Sequence, residues 1–459
     1  MQREHLGSRL GFILLSAGCA IGIGNVWRFP SMVGANGGAI FVLLYFVFLI
    51  ALGIPVMTME FAMGRAAQRS PVKMYQELEP KGSKWHLHRF PALAGNYLLL
   101  MFYTTVCGWM LQYFVYGAQG RFQATVDTAS STALNNEMLQ NPWMMLIFTM
   151  LSVLVGVLAC LGGVKKGIER ITKYMMLALL ALIVVLVINS LCLPNAAEGL
   201  NFYLVPNVET INSVKGGWFG VIVNAMSQAF FTLSIGMGSM AIFGSYLDKN
   251  RSLFGEAVNI AVLDTLVAVC AGLIIFPAIF TYNPELRGMG GPDLIFKALP
   301  TIFAGMPFGD LWGCLFFLFL SFAALSTVIA VFENIVACFM DLGFSRTKAC
   351  LINGAALCVL SLPCIFGFNL LSGFHPFGGE STILDLEDFL VSQVLLPVGS
   401  LIYVVFCTTR YGWGFKNFQK EANLGQGLKI PNGFKGYLTF VLPVIILVLF
   451  VVGIVQKFM

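Results

Sequence analysis

The apolar segment at residues 10–33 is interrupted in its middle by a run that membrane helices ordinarily avoid. Residues 17–30 read AGCAIGIGNVWRFP, with glycines and polar side chains at Gly18, Gly22, Gly24, Asn25 and Arg28. In hydrocarbon each unpaired backbone group costs several kcal/mol, so a break is tolerated only where protein or a water-filled cavity surrounds it. The interruption therefore predicts a binding site inside the membrane.

A second apolar segment, at residues 217–246, is interrupted in a similar way. Residues 231–238 read FTLSIGMG, in which Gly236 and Gly238 follow the hydroxyl of Ser234. Two interrupted hydrophobic segments at corresponding places in two halves of a chain indicate a secondary transporter with a site near the bilayer midplane. The two breaks together predict that a ligand binds between them.

The composition places the whole chain in a membrane. Its residues are 58% hydrophobic and 11% charged, whereas soluble domains are about 25% charged. A spanning helix needs roughly 20 apolar residues. Eleven segments meet this requirement, at residues 10–33, 39–63, 92–116, 144–162, 171–193, 217–246, 257–281, 310–340, 348–371, 388–409 and 436–457. We therefore predict an all-α integral membrane protein with 11 transmembrane helices.

The basic residues predict the orientation of the chain. Most of the 27 Lys and Arg residues fall in loops that share one side of the membrane, for example residues 65–91. Such loops stay in the cytoplasm. We expect a multi-pass protein of the inner cell membrane, with the amino terminus cytoplasmic and the carboxyl terminus outside. The net charge of +5 then faces anionic lipid head groups of the bilayer, so we expect no nucleic-acid partner. The oligomeric state stays open.

The segments divide into two halves of opposite topology within one transporter domain, residues 1–459. Five helices at residues 10–193 start on the inner side, and five at residues 217–409 start on the outer side. Two structurally similar halves would therefore be inverted repeats. Residues 436–457 add an eleventh helix.

The breaks offer chemistry for both a cation and a zwitterion. A broken helix exposes N–H groups that attract an anion and C=O groups that attract a cation. Neutral side-chain oxygens near the breaks belong to Asn25, Thr232, Ser234, Ser326 and Thr327. Such oxygens suit a hard monovalent cation that is only partly dehydrated. A zwitterion beside the cation would satisfy both ends, and an amino acid fits that description.

Each feature has a plainer explanation when it is taken alone. Gly18 and Gly22 form a small-xxx-small packing face. Ser326 and Thr327 can bond back to the preceding helical turn, and FTLSIGMG can be a flexible kink. Their occurrence together with the intramembrane carboxyl of Asp264, which is costly unless it is paired, favours a binding site.

Several long motifs carry a resemblance to a known family. They are RLGFILLSAGCAIGIGNVWRFP, NGG at Asn36, MEFAMGR, KKGIERITKYMM, EGLNFYLVPN and SQAFFTLSIGMG. Together they resemble the neurotransmitter:sodium symporter family over nearly the whole chain. The resemblance implies a LeuT-type fold of 5+5 inverted repeats in which helices 1 and 6 are unwound.

The resemblance also implies two sodium sites. One would use the substrate carboxylate with Ala20, Asn25, Thr232 and Asp264. The other would use backbone oxygens of Gly18, Ile21 and Ala323 with the hydroxyls of Ser326 and Thr327. The substrate would lie among Cys19, Ala20, Ile23, Gly24, Leu99, Tyr103, Phe231, Thr232, Ser234, Met237, Thr327 and Val331. Tyr103 would hold its carboxylate and Phe231 would cover it.

The resemblance further implies two gates and two supporting carboxyls. The outer gate would be Arg28 with Asp388. The inner gate would be Arg3 with Asp341, near Tyr246. An exposed charge pair contributes only about 0 to 1 kcal/mol, so it can open and close. The broken segments would be supported by Glu60 and Glu333.

Three positions depart from the family pattern. Asp264 stands where Asn is usual, and Ala268, one turn on, replaces a Glu or a Ser. Members with the Ser typically need chloride. We expect Asp264 to supply the negative charge, which makes transport independent of chloride. Leu6 replaces the usual Trp, which weakens the expected inner seal.

The sequence therefore predicts a sodium-coupled symporter that is not an enzyme. The apolar side chains of Leu99, Phe231, Met237 and Val331 predict a neutral, hydrophobic amino acid as substrate, including large or aromatic ones, because Met adapts its shape readily. The alternatives are a symporter of glycine or betaine, a sensor that binds an amino acid without moving it, and an ion channel.

Overall fold

The computed structural model describes residues 6–214, 216–288 and 291–458, and this part of the chain is helical with no β-strand. The predicted gate residue Arg3 lies outside the described residues. Two short helices follow one another at the amino terminus, α1 (Arg9–Ala20) and α2 (Gly24–Ala35), with a 56° bend between them. The first predicted break is therefore a bend between two helices.

The remaining helices of the bundle, including the short α8, follow in chain order. They are α3 (Ala39–Ala67), α4 (Trp85–Ala118), α5 (Pro142–Leu161), α6 (Val164–Leu191), α7 (Gly217–Thr232), α8 (Ser239–Ser245), α9 (Leu253–Tyr282), α10 (Gly309–Asp341), α11 (Arg346–Phe366), α12 (Ile383–Thr408) and α13 (Phe434–Phe458). Within the described ranges, nine helices are long and apolar enough to cross a membrane, or ten if α1 and α2 form one span. The predicted number of 11 stays a prediction, because α7 and α8 are separated by a longer irregular segment.

Shorter helices fill the connections between the long ones. They include Pro71–Leu78, Thr128–Gln140, Ala196–Leu204, Leu299–Gly305 and Phe415–Ala422.

Local sequence explains where the broken helices begin and end. The α1 helix begins at a Ser8 cap, whose hydroxyl accepts the Gly11 N–H at 3.0 Å, and it ends where Ile21 is extended at φ −71° and ψ 101°. Between α7 and α8, Ser234 has φ 50°, and Gly236 and Gly238 have φ 104° and 85°. Left-handed backbone costs a non-glycine residue roughly 1 to 2 kcal/mol. Ser234 therefore carries strain at the second break.

The two broken segments lie inside the helical bundle. The α10 helix packs against α1, α4, α5 and α6. The α2 helix packs against α9, and α7 and α8 pack against the two ends of α3. Every break is thus faced by unbroken helices, which supply the polar partners that an irregular backbone needs in a membrane.

A buried ion pair attaches the segment that links α12 and α13 to the end of α3. The Arg65 Nε donates to Glu421 Oε1 at 2.7 Å, its Nη1 donates to the Arg251 carbonyl at 2.7 Å, and its Nη2 donates to the Glu421 carbonyl. The Arg65 side chain is fully buried. Removing one partner of a buried pair typically costs about 3 to 5 kcal/mol, since the other charge stays behind unpaired.

We therefore expect R65M to lower the thermal unfolding temperature of the purified protein substantially. The matched control is R121M, which breaks a partly exposed pair whose Arg121 Nη2 lies 2.6 Å from Glu137 Oε2 and whose loss costs at most about 1 kcal/mol. Equal unfolding temperatures for the two variants would show that the buried pair does not hold the loop.

Candidate functional site

Asp264 of α9 links the two breaks. The Asn25 side chain donates to Asp264 Oδ1 at 2.8 Å and to the Asp264 carbonyl at 3.1 Å. The Thr232 hydroxyl, at the end of α7, donates to Asp264 Oδ2 at 3.0 Å, and the Tyr45 hydroxyl lies 3.5 Å from the same oxygen. Asn25 also accepts the Gly22 N–H at 3.1 Å, which closes the first break.

The Asp264 carboxyl is fully buried, and its described hydrogen-bond partners are all neutral groups. A buried carboxylate is costly unless a positive charge compensates it. The structure therefore brings together three of the four residues predicted for the first sodium ion, and their set of oxygens with one negative charge fits a cation.

A second group of oxygens converges on Thr327 of α10. The Thr327 Oγ1 lies 3.2 Å from the Gly18 carbonyl, and 3.4 Å from the carbonyls of Cys19, Ile21 and Ala323. The Ser326 hydroxyl lies 2.9 Å from the Ala323 carbonyl. One hydroxyl proton can serve only one of these acceptors at a time.

The carbonyls of Gly18 and Ile21 converge on Thr327 at the end of α1, while the Cys19 carbonyl also accepts the Ser234 hydroxyl at 3.3 Å. Hard cations prefer such oxygen ligands. All five residues predicted for the second sodium ion lie together here, namely Gly18, Ile21, Ala323, Ser326 and Thr327.

A small central cavity lies between the breaks, α4 and α12. Its lining consists of Cys19, Ala20, Gly22, Gly24, Leu99, Tyr103, Phe231, Ser234, Met237, Thr327, Val391 and Leu396. Nine of the twelve residues predicted for the substrate are among them. The other three are placed elsewhere: Ile23 donates its backbone N–H to the Tyr103 hydroxyl at 3.0 Å, Thr232 contacts Asp264, and Val331 is buried away from the lining.

The prediction from sequence missed Gly22, Val391 and Leu396. Val391 and Leu396 are ordinary apolar residues of a spanning helix, so no local signal distinguishes them from residues that face lipid. Gly22 lies inside the first interrupted motif, but it has no side chain that would indicate a contact with substrate. In the structure it leaves space beside the Tyr103 and Thr327 hydroxyls.

Tyr103 and Phe231 separate the central cavity from a wider cavity on the predicted outer side, called the outer cavity, since both residues line both spaces. The Arg28 guanidinium lies over the Phe231 ring, 4.1 Å from its centroid. Arg28 and Asp388 both line the outer cavity, and the described contacts include no ion pair within 4 Å between them. Asp388 instead accepts the Ser392 hydroxyl at 2.6 Å.

The predicted inner-gate residues lie in two groups. Asp341 accepts the Ser70 N–H at 2.6 Å and lies 3.9 Å from Arg69 Nη1. The Tyr246 hydroxyl donates to Glu333 Oε1 at 2.6 Å.

The two predicted supporting carboxyls lie in different surroundings. Arg346 forms a bidentate pair with Glu333, with distances of 2.8 Å and 2.9 Å. Glu60 accepts the N–H of Gly236. Glu60 therefore contacts the second break, while Glu333 contacts Arg346 and Tyr246. The sequence does not indicate Arg346 as a functional residue, because it lies far from both breaks and outside the recognised motifs.

Comparison with known proteins identifies the family. The model of the sodium:neurotransmitter symporter family matches residues 3–131 and 128–458. The chain belongs to this family. As a member of the sodium:neurotransmitter symporter family, it is a sodium-dependent, multi-pass membrane transporter, which confirms the family resemblance found in the motifs.

Individual relatives agree with this assignment. An uncharacterized sodium-dependent transporter of Bacillus subtilis (strain 168) is 36% identical over 403 residues, covering 87% of this chain and 86% of the relative. One from Haemophilus influenzae is 31% identical over 461 residues, covering 98% of each chain. The crystal structure of MhsT in complex with L-phenylalanine matches with a TM-score of 0.85 and 36% identity, covering 98% of this chain and 100% of that one. The fold is therefore the LeuT-type fold that the motifs predicted.

Proposed function

We propose that this transporter imports neutral, hydrophobic amino acids together with sodium by alternating access, and that it does not require chloride. The observation that carries the proposal is the position of the central cavity. It lies between the Asp264 group and the Thr327 group of oxygens, and Ala20 and Thr327 border it directly.

The two ends of the cavity suit the two ends of an amino acid. The Tyr103 hydroxyl, beside the first break, is placed to hold a carboxylate, which would also complete the first sodium site. The side chain would lie against Leu99, Phe231 and Met237, with Val391 and Leu396 closing the apolar end. The bound L-phenylalanine in the MhsT structure supports this class of substrate.

Two sodium ions would supply the driving force. Each charge that moves inward down a membrane potential of 100 mV releases about 2.3 kcal/mol, and a charge-neutral substrate adds no opposing charge. Phe231 and Tyr103 would close the outer side after binding, and the Arg28–Asp388 pair would form above them. The inner residues near Asp341 would then separate.

The proposal is tested by uptake of labelled amino acids into liposomes that contain the purified protein, with sodium or choline outside and potassium inside. We expect concentrative uptake of large neutral amino acids only with sodium. Sodium-dependent binding without uptake would indicate a sensor, and current that persists without substrate and does not saturate would indicate a channel. Preference for glycine or betaine in competition would contradict the substrate class.

Enlarging the side chain at Met237 is expected to shift this preference. M237F replaces an adaptable side chain by a rigid ring at the apolar end of the cavity, and overpacking typically costs about 1 to 3 kcal/mol. We expect phenylalanine to lose about tenfold or more in apparent affinity, while alanine changes little. The measurement is competition against a labelled substrate, and equal losses for both amino acids would place Met237 outside the side-chain pocket.

A further inference from the structure

Several buried polar atoms without a hydrogen-bond partner lie close together beneath the second break. In the described part of the chain they are Oε2 of Glu60, Oγ of Ser400, the hydroxyls of Tyr75 and Tyr403, and both ring nitrogens of His88. None of them belongs to the proposed sodium or substrate sites. Buried polar groups without partners are rare in folded proteins and call for an explanation, such as bound water or an ion.

These residues form a continuous series from the break toward the predicted inner surface. A Cβ on Gly236 would lie 2.9 Å from Ser400 Oγ, and a Cβ on Gly238 would lie 2.8 Å from the Tyr403 hydroxyl. The two hydroxyls therefore lie beside the backbone that holds Glu60, and only glycine leaves them room.

The series continues through aromatic rings. The Tyr403 and Tyr75 rings are 5.8 Å apart, and the Tyr75 and His88 rings are 5.2 Å apart. His88 ends the turn Trp85–His88. Nearby, the partly exposed His86 pairs with Glu79 at 2.7 Å.

Glu60 has no cation among its described contacts. The titratable groups that face it are neutral in their ordinary form, and they are Cys19 on α1, Tyr75 on the short helix Pro71–Leu78, and Tyr403 and Cys407 on α12. Arg65, on the same helix as Glu60, is engaged by Glu421.

An ionised Glu60 therefore depends on backbone N–H groups of the second break and of the start of α8, with Gly236 donating to Oε1 and those of Gly238, Met240 and Ala241 also facing the carboxyl. If this backbone moved away, a bare carboxylate would remain in the protein interior. Burial strongly disfavours the charged form of a carboxyl, so it would take up a proton instead.

We propose that Glu60 is a proton-binding site that exchanges its proton with the inner solution through Tyr403, Tyr75 and His88. When these backbone contacts are lost, a proton from the inner solution enters at the turn Trp85–His88 and passes through bound water to the buried His88 imidazole. Each tyrosine hydroxyl then accepts one proton and passes on its own, until one is bound to Glu60 Oε2. Bound water, which needs polar partners of this kind, bridges the gaps between the rings.

The reverse movement releases the proton by the same route. Because the state without the Gly236 contact binds the proton more tightly, internal acid favours that state. The inference rests on the proposed transport cycle, in which the second break rearranges when sodium and substrate bind.

The test measures proton release by the full-length protein in weakly buffered detergent solution with a pH indicator, on addition of sodium and phenylalanine. We expect the parent to release protons on binding and E60Q to release none. E387Q is the matched control, because Glu387 is also buried with an unpartnered oxygen but lies outside the series. We expect it to release protons as the parent does.

Y403F tests the route itself. We expect the same final proton release with a rate about tenfold lower, since a positioned proton-transfer group commonly accelerates transfer by that much or more. Unchanged amplitude in E60Q, or unchanged rate in Y403F, would overturn the proposal.

Two further measurements separate possible failures. Binding of labelled phenylalanine in the same samples shows whether the proposed function holds, because a parent without sodium-dependent binding contradicts that function and not the proton site. If E60Q binds no substrate, infrared spectra of the sodium-free proteins decide the matter. A protonated carboxyl band in the parent-minus-E60Q difference spectrum, distinct from the contribution of Glu387 in the parent-minus-E387Q difference, supports the site, and its absence contradicts it.

Discussion

Replacing Asp264 by asparagine is expected to abolish uptake at ordinary sodium concentrations. Asp264 is the fully buried acid between the breaks, and its described partners Asn25, Thr232 and Tyr45 are neutral. D264N keeps the size of the side chain and removes its charge. Removing one charge of a buried pair costs about 3 kcal/mol or more, so we expect sodium affinity to fall by about 100-fold or more.

The same carboxyl explains why the parent is expected not to need chloride. In the proposed sodium site, a negative charge at Asp264 would already compensate the sodium charge, and Ala268, one turn further along α9, offers no hydroxyl to an anion. Uptake by the parent should therefore be unchanged when gluconate replaces chloride. The informative variant is D264N combined with A268S, which removes the fixed charge and adds a hydroxyl.

We expect the double variant to recover part of its uptake, and only in chloride. A268S alone is the matched control, because it retains Asp264 and should stay independent of chloride. Uptake is measured in liposomes under equal sodium gradients. A collapse of parent uptake in gluconate would contradict the role of Asp264, whatever the variants show.

The architecture was predictable because its signals are local and physically costly. Glycines and polar residues inside an apolar segment are tolerated only where protein or water surrounds the break in the helix. Residues 17–30 and 231–238 therefore predict the position of the candidate site without any three-dimensional information. The structure places Asn25 and Thr232 on the same carboxyl. The number of spans is harder to predict. Hydropathy treats residues 217–246 as one segment, whereas the structure divides them into α7 and α8 with an irregular segment between them.

The rest of the site depends on contacts between distant parts of the chain. Val391 and Leu396 line the central cavity, but only the packing of α12 against the breaks distinguishes them from other apolar residues. Likewise, Glu333 was expected to support the breaks, and its described partners are Arg346 and Tyr246. A charge in a sequence shows that a partner is needed, whereas only the fold shows which one is within reach.

Removing the hydroxyl of Thr327 is expected to weaken one of the two proposed sodium sites. T327V keeps the shape of the side chain and loses the oxygen, while T327S keeps the oxygen and loses a methyl group. Hydrogen bonds or contacts with charged groups contribute about 1.5 to 3 kcal/mol, so we expect T327V to lose about 10-fold to 100-fold in sodium affinity. T327S should remain close to the parent.

The sodium dependence of phenylalanine binding distinguishes this effect from simple damage to the fold. With two sites, binding should rise cooperatively with sodium, and T327V should lower the Hill coefficient toward one while T327S leaves it unchanged. If T327V binds sodium as the parent does, the convergence of carbonyls on Thr327 is only a hydroxyl bonded back to neighbouring backbone. That result would contradict the second sodium site, at Thr327, and would leave the first one, at Asp264, unaffected.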